Sequence, residues 1–514
     1  MIKVLKRLPL PKIILVILLA LAAFLRLYNL KNSLQFQGDQ GRDAMIVAQI
    51  FTENNLVFIG PVTSVGNMYL GPLYYYFMLP FLWLSYPSPM GPAYAVAILG
   101  IITVWLMYRF GKELIGKKAA LIATTFFTFT GTVIVYTRFS WNPNPAPLVS
   151  ALMIYFTYKA WQKNPMFWIG VILSFAVLLQ LHYLTLLSAG GAGIIWLISL
   201  YENWKKKAKS KKFVLQLKAS VIGILLLLLS FTPLILFDSQ HDWLNANAFY
   251  NLIYQDRNFK TTTDGGLITK MVKTIKETHG RGMHTLFEIA IGQQRLLNTV
   301  LLIITVIILS WLLIKNRKNK HWAGWVVIIA YLITGIIGAS LYEHTIFDHY
   351  IAYLFPVTFW IYGIVLGFLI TKCKLIGKLA SGAFLGYFLW FSFSNNLSIY
   401  NQGWTIDDMK VVSDSIYKEL KPDEKYNLVL FSESRDLDAQ NYRYFLTTTD
   451  HPPLKKANRG EAETLIIINE DHSIKNVADS PVYEIVVFPD KKPKKILNID
   501  NGPEIIILST REDR

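Results

Sequence analysis

The chain has 514 residues, of which 53% are hydrophobic, 14% aromatic and only 17% charged, against about 25% charged residues in an ordinary soluble domain. Its formal net charge of +17 is not a nucleic-acid footprint, because Lys and Arg fall in short clusters between apolar runs, the positive-inside pattern of membrane proteins. A single cysteine, Cys373, excludes an internal disulfide framework.

In chain order, a basic stretch from Met1 to Lys12 leads into a first span at about 13–30, entered from the inside. Ala20-Leu21-Ala22 resembles a signal-peptide cleavage site, but apolar character continues to Leu30, so the segment is expected to stay as a span. Residues 31–90 hold only two basic residues, Lys31 and Arg42, and belong outside. The next cluster, Arg109, Lys112, Lys117 and Lys118, belongs inside. Only one crossing, at about 91–110, fits between them, so the aromatic stretch Pro72 to Tyr86 is expected as a juxtamembrane or re-entrant helix.

Spans at about 118–137, 146–160, 166–182 and 184–201 then alternate. They lead to Lys205, Lys206, Lys207, Lys209, Lys211 and Lys212, the strongest cytoplasmic marker. A span at 213–237 exits into a long outer loop, 238–295, and further spans follow at about 297–314, 322–341, 350–370 and 376–394. The expected architecture is a polytopic α-helical membrane protein of about eleven spans, residues 1–394. It sits in the cell membrane with its N-terminus inside.

From about Asn395 the composition changes. Asn427 to Phe431, Thr464 to Ile468, Tyr483 to Phe488 and Glu504 to Leu508 are short apolar runs separated by polar turns, and read as strands. Asp407 to Leu420 carries apolar residues at helical spacing. Residues 395–514 are therefore expected to form a soluble extracytoplasmic α/β domain.

Chemistry concentrates in Gly38-Asp39-Gln40-Gly41-Arg42-Asp43, directly after the first span. Asp39 reads in one sense as the N-cap of a helix from about Gln40 to Phe51. In another it is a general base at the membrane surface, with Asp43 one turn further on and Arg42 able to grip a phosphate. Gly71-Pro72-Leu73-Tyr74-Tyr75-Tyr76 reads as an interfacial aromatic belt or as a surface set against a ligand. Arg138 and His182 lie at outer span ends. Arg138 is either a snorkelling anchor or a ligand contact; His182 is either a satisfied polar residue or part of a site. Glu343, His344 and Asp348, beside His349 and Tyr350, form a late outer loop whose acid and imidazole groups are weak metal candidates without a metal spacing signature.

Basic N-terminus, first span, acidic motif, Pro-aromatic segment and outer Arg, in this order, resemble the GT-C glycosyltransferases. The protein O-mannosyltransferase-like enzymes and aminoarabinose transferases of lipid A (glycosyltransferase family 39/83 type) are the nearest. These move a sugar from a polyprenyl monophosphate to an acceptor hydroxyl on the outer face, and their first outer loop carries a pattern like Asp-Glu-x-Arg. Asp39-Gln40-Gly41-Arg42 matches except at Gln40. The resemblance, read over residues 1–370, implies that Asp39 is the base, with Arg42 on the donor phosphate. It also places Tyr350 near that phosphate and leaves Gly71 where relatives often have a basic residue, a loss that Arg138 or an outer-loop Lys is expected to cover. Tyr74, Tyr75, His182 and His349 are the further expected substrate contacts, and Asp43 the second catalytic carboxylate.

The implied partners are a polyprenyl-phosphate-linked sugar, the bilayer and an acceptor glycan, lipid or protein, with no nucleic acid. No cofactor is assigned; a divalent cation is the one considered. A diphosphate-linked oligosaccharide transferase or ligase is the nearest alternative. A lipid or solute transporter would place ionisable or Gly/Pro-broken positions near the midplane and show an internal repeat, which this chain does not.

Overall fold

The computed structural model describes residues 10–34, 36–63, 68–206, 211–254, 267–342, 345–395, 404–433 and 436–511. The chain packs as two units. The first comprises Met1–Tyr28, Val57–Tyr76 and Tyr94–Leu397, the second Asn29–Leu56, Phe77–Ala93 and Ser398–Arg514.

Among the described residues of the chain, eight helices are long and apolar enough to cross a membrane: Leu10–Leu27, Met90–Leu114, Tyr183–Lys205, Lys211–Ser230, Arg295–Lys315, Trp322–Ser340, Asp348–Lys372 and Lys374–Asn395. The other three expected positions hold shorter helices. Residues 118–137 divide into Lys117–Phe129 and Gly131–Tyr136 at the extended residue Thr130, whose Oγ1 donates to the Phe126 carbonyl at 2.7 Å. Ala146–Gln162 has 17 residues and Phe167–Leu181 has 15. The Pro-aromatic segment forms Leu73–Ser85, 13 residues. That is about 20 Å at 1.5 Å per residue, short of the roughly 30 Å hydrocarbon thickness.

The interior of the first unit is apolar, and many of its buried polar groups are paired within the protein, as a membrane interior favours. Thr124, Thr128 and Thr157 each donate to the carbonyl four residues back. Trp360, fully buried, donates its indole N–H to the Met107 carbonyl at 3.1 Å.

The second unit contains a four-stranded sheet: β1 (Tyr426–Phe431), β2 (Thr464–Asn469), β3 (Lys495–Asn498) and β4 (Glu504–Ser509), in the order β1-β2-β4-β3. β1 pairs parallel with β2, so their connection must cross over, and it carries the helix Gln440–Thr447. β2–β4 and β4–β3 are antiparallel. The helix Ile406–Glu419 starts at a capping box between Thr405 and Asp408, as the helical spacing leads one to expect.

Two strand expectations change. Tyr483 to Phe488 is not a strand; Tyr483–Val486 is a short helix. Ile485 and Phe488, three apart, go into the core while Val486 and Val487 face out, a helical rather than an alternating pattern. β3 was not expected, because Ile496-Leu497 is too short an apolar run between Lys495 and Asn498 to read as a strand, and at the edge of the sheet its residues are mostly exposed.

Val429, Leu465, Ile467, Ile485, Phe488, Ile506 and Leu508 make the sheet core. Ile467 is fully buried at its centre. Ile467→Ala should therefore destabilise this unit by about 2–5 kcal/mol, measured as lost hydrogen-exchange protection along β2 in the intact protein.

Candidate active site

The acidic motif opens the helix Gly38–Thr52. Its N-cap is Gln37, not Asp39. Gln37 and Gln40 form a capping box in which the Gln37 N–H donates to Gln40 Oε1 at 2.9 Å. Gln can take the N3 position of such a box as well as Glu, so Gln40 serves the helix start where the family pattern has Glu. Asp39 is thereby released from capping and sits in the first turn, where a negative charge suits the helix dipole.

Arg42 ties the two acids together. Its Nη1 donates to Asp39 Oδ1 at 2.7 Å, while Nε and Nη2 donate to Asp43 Oδ1 at 2.9 and 2.7 Å. The two carboxylates differ sharply in setting: the Asp39 side chain is 47% exposed and that of Asp43 only 2%. A surface pair such as Asp39–Arg42 contributes about 0–1 kcal/mol. A buried carboxylate beside a guanidinium is held by that partner and would be costly without it.

Within the same unit the acid helix packs against the helix Gln440–Thr447. A Cβ on Gly41 would come within 2.3 Å of the Gln440 carbonyl oxygen and 2.7 Å of the Asn441 Cα. No side chain fits there, which accounts for one glycine of the motif.

Asp436, just before that neighbouring helix, accepts from the Gln440 N–H at 2.8 Å. Burial raises its carboxyl above the ordinary value of 3.8, against the Gln440 hydrogen bond and with the Asp438 and Asp39 carboxylates adding to the rise. The folded protein thus keeps this proton to higher pH than the unfolded chain does. The associated stability is complete below the unfolded value and is lost as pH rises through the folded one. Asp436→Asn keeps an acceptor for Gln440 and removes the charge. It should raise Tm at neutral pH and flatten the fall in Tm as pH rises above the ordinary carboxylate value, checked by thermal unfolding from acid to neutral pH.

The first unit gathers the aromatic and basic candidates. His182, His349 and Tyr350 cluster, with ring centroids 4.8 Å apart for His182–Tyr350, 4.5 Å for His349–Tyr350 and 5.9 Å for His182–His349; Trp141 lies 4.4 Å from His349. Asp348 pairs with His284 Nε2 at 2.7 Å. Tyr74 and Tyr75 are buried, and the Tyr74 hydroxyl is 2.7 Å from Ser140 Oγ, two residues beyond Arg138. Arg138 donates to the carbonyls of Leu25 and Tyr28 at 2.8 and 3.0 Å, tying its loop to the end of the first span.

Gly71 has a steric reason of its own. A Cβ there would meet Gln180 Oε1 at 2.3 Å, so Gln180 occupies the space that a basic side chain would need. Glu343 and His344 lie outside the described residues. No group of three or more His, Cys, Asp or Glu able to hold a metal occurs among the described residues.

Three residues escaped the sequence reading. Asp436 and Gln180 carry no motif. Arg26, inside the first span, is fully buried, and its Nε and Nη2 have no partner among the described residues. An ionisable residue within a span is a functional signal in its own right, and it was legible as a lone Arg in an apolar run.

Residues 71–235 match the family described as dolichyl-phosphate-mannose-protein mannosyltransferase. Among solved structures, ArnT from Cupriavidus metallidurans bound to undecaprenyl phosphate superposes with a TM-score of 0.59 at 11% identity, covering 96% of this chain and 97% of that one. Its apo state gives 0.58 at 12% identity with the same coverage. The archaeal oligosaccharyltransferase AglB from Archaeoglobus fulgidus, in complex with an inhibitory peptide and a dolichol-phosphate, gives 0.49 at 11% identity over 88% of this chain and 69% of that one. A comparison with curated proteins finds no match. The likeness to ArnT runs over 96% of this chain, beyond the 1–370 expected from motifs. Residues 71–235 are about a third of the chain and the ArnT structures are only 11–12% identical to it, so these likenesses show a common fold, with eight helices fit to cross a membrane among the described residues.

Proposed function

We propose that the chain transfers a sugar from a polyprenyl monophosphate to an acceptor hydroxyl on the outer face of the membrane, with inversion at the anomeric carbon. The observation that carries this reading is the division of labour in the acid motif: an exposed Asp39 and a buried Asp43 joined through one guanidinium. ArnT's binding of undecaprenyl phosphate, on the same fold, supports a polyprenyl donor.

In this mechanism Asp39 accepts the proton of the acceptor hydroxyl. The freed oxygen lone pair attacks the anomeric carbon, and the bond from that carbon to the phosphate oxygen breaks, its electron pair leaving on the lipid phosphate. Such base catalysis is worth roughly 10²–10⁴-fold. Arg42 lowers the energy of charge building on the departing phosphate, and Asp43 keeps the guanidinium aimed. In the first unit Arg138, Tyr74, Tyr75, His182, His349 and Tyr350 are the proposed contacts for the donor's phosphate and sugar. The donor's apolar chain needs a membrane-embedded surface, which is why a transferase of this kind carries many spans. A phosphomonoester lipid is already a good leaving group, so no general acid is required.

The test uses purified protein, a panel of polyprenyl-monophosphate sugars with a cell-envelope acceptor fraction, and mass spectrometry of released lipid phosphate. Release that depends on both donor and acceptor is the expected result. A donor panel that stays intact, alongside turnover of a diphosphate-linked oligosaccharide, would overturn the choice of donor.

A further inference from the structure

The second unit holds a cavity of about 590 Å³ that the acid chemistry does not use. Its volume falls within the roughly 300–1,000 Å³ of small-molecule sites. Phe36 and Gln37, immediately before the acid helix, line one part of it; Trp404, Asn441, Glu470 and Asp471 line others.

The walls are built. The Trp404 indole N–H donates to the Tyr442 hydroxyl at 2.8 Å, and that hydroxyl in turn donates to Glu470 Oε1. This chain of hydrogen bonds fixes an aromatic platform and a carboxylate with respect to each other. Gly502 makes room for the indole, since a Cβ there would lie 2.6 Å from its ring. Asn441 is only 5% exposed, and its Oδ1 has no hydrogen-bond partner among the described residues. A buried carbonyl oxygen left unsatisfied costs free energy unless something donates to it.

An aromatic face, three carboxylates and an unsatisfied amide oxygen are complementary to a pyranose ring. The ring's C–H face covers an apolar platform, and its hydroxyls donate to acceptors. The lining also selects by charge. Among the described lining residues Glu433, Glu470 and Asp471 outnumber the basic side chain of His472, a balance that favours neutral and amine-bearing rings over phosphorylated and carboxylated ones.

We propose that this cavity is a saccharide-binding subsite that takes one neutral or amine-bearing sugar ring. Its position beside the start of the acid helix makes that ring part of the acceptor, an assignment that rests on the transferase reading above.

The experiment measures binding of mannose, N-acetylglucosamine, glucosamine and glucuronate to the intact protein, without any lipid donor, by saturation-transfer NMR and tryptophan fluorescence. Neutral and amine-bearing sugars should bind, and glucuronate at least tenfold more weakly. Trp404→Ala should abolish the signal. Asp471 is exposed, so Asp471→Asn should leave folding intact while narrowing the preference of glucosamine over glucuronate severalfold. If Trp404→Ala does not fold, the charge preference of Asp471→Asn decides alone. Absence of binding by every sugar, or equal binding in both variants, would overturn the subsite. Sugar binding here without any release of lipid phosphate would instead count against the transferase and leave the subsite standing.

Discussion

Asp39→Asn should reduce release of lipid phosphate by about 10²–10⁴-fold, the usual worth of a positioned general base, with little change in Tm. The geometry gives a reason for both halves of that expectation. The side chain is 47% exposed and, among the described residues, bonded to Arg42 in its own turn, and Asn retains an oxygen that can accept from the guanidinium. The helix start does not depend on it either, because Gln37 and Gln40 provide the cap. What Asn cannot do is take a proton from the attacking hydroxyl. The neighbouring carboxylate gives the contrasting case: Asp43 is 1% exposed, so Asp43→Asn should lower Tm as well as activity, by weakening the seat of Arg42. Release measured by mass spectrometry beside a thermal melt separates the two. Full activity in Asp39→Asn would remove it as the base, and an equal loss of Tm in both variants would make the motif structural.

The spans were legible because a bilayer demands long apolar runs with basic flanks, and hydropathy reports both. Charge alternation argues against a crossing at Leu73–Ser85, and a helix of 13 residues is in keeping with that reading. The acid motif was legible as a cluster, but not its internal arrangement. Burial separates Asp39 from Asp43, and burial depends on what a helix packs against. That partner, Gln440–Thr447, lies some four hundred residues further along the chain. Long-range packing likewise groups residues 29–56 and 77–93 with the C-terminal sheet, a grouping that no local composition shift marks. Tyr483 to Phe488 illustrates the same limit at short range, since a brief apolar run fits strand and helix alike until the i, i+3 burial of Ile485 and Phe488 decides.

Gly41→Ala should be far more damaging than an alanine in a helix interior has any right to be. On helix propensity alone the change stabilises, by about 0.8–1.0 kcal/mol, and at Gly280, whose added Cβ meets nothing within 4 Å, that is the expected sign. At Gly41 the same methyl group meets the Gln440 carbonyl oxygen at 2.3 Å and its carbonyl carbon at 2.5 Å. These are backbone atoms, held by the hydrogen bond that Gln440 donates to Asp436, and they have no rotamer through which to yield. The acid helix must shift instead, at a cost of about 1–3 kcal/mol for overpacking, and Asp39 and Arg42 shift with it. Displacement of a catalytic group by about 1 Å is enough to cost roughly 10²-fold in rate. Lipid-phosphate release should accordingly fall by about that factor in Gly41→Ala and stay at the wild-type level in Gly280→Ala, with Tm moving in opposite directions in the two variants. A Gly41→Ala protein with unchanged release and Tm would mean that the two helices can part without consequence, and that the glycine serves no close approach.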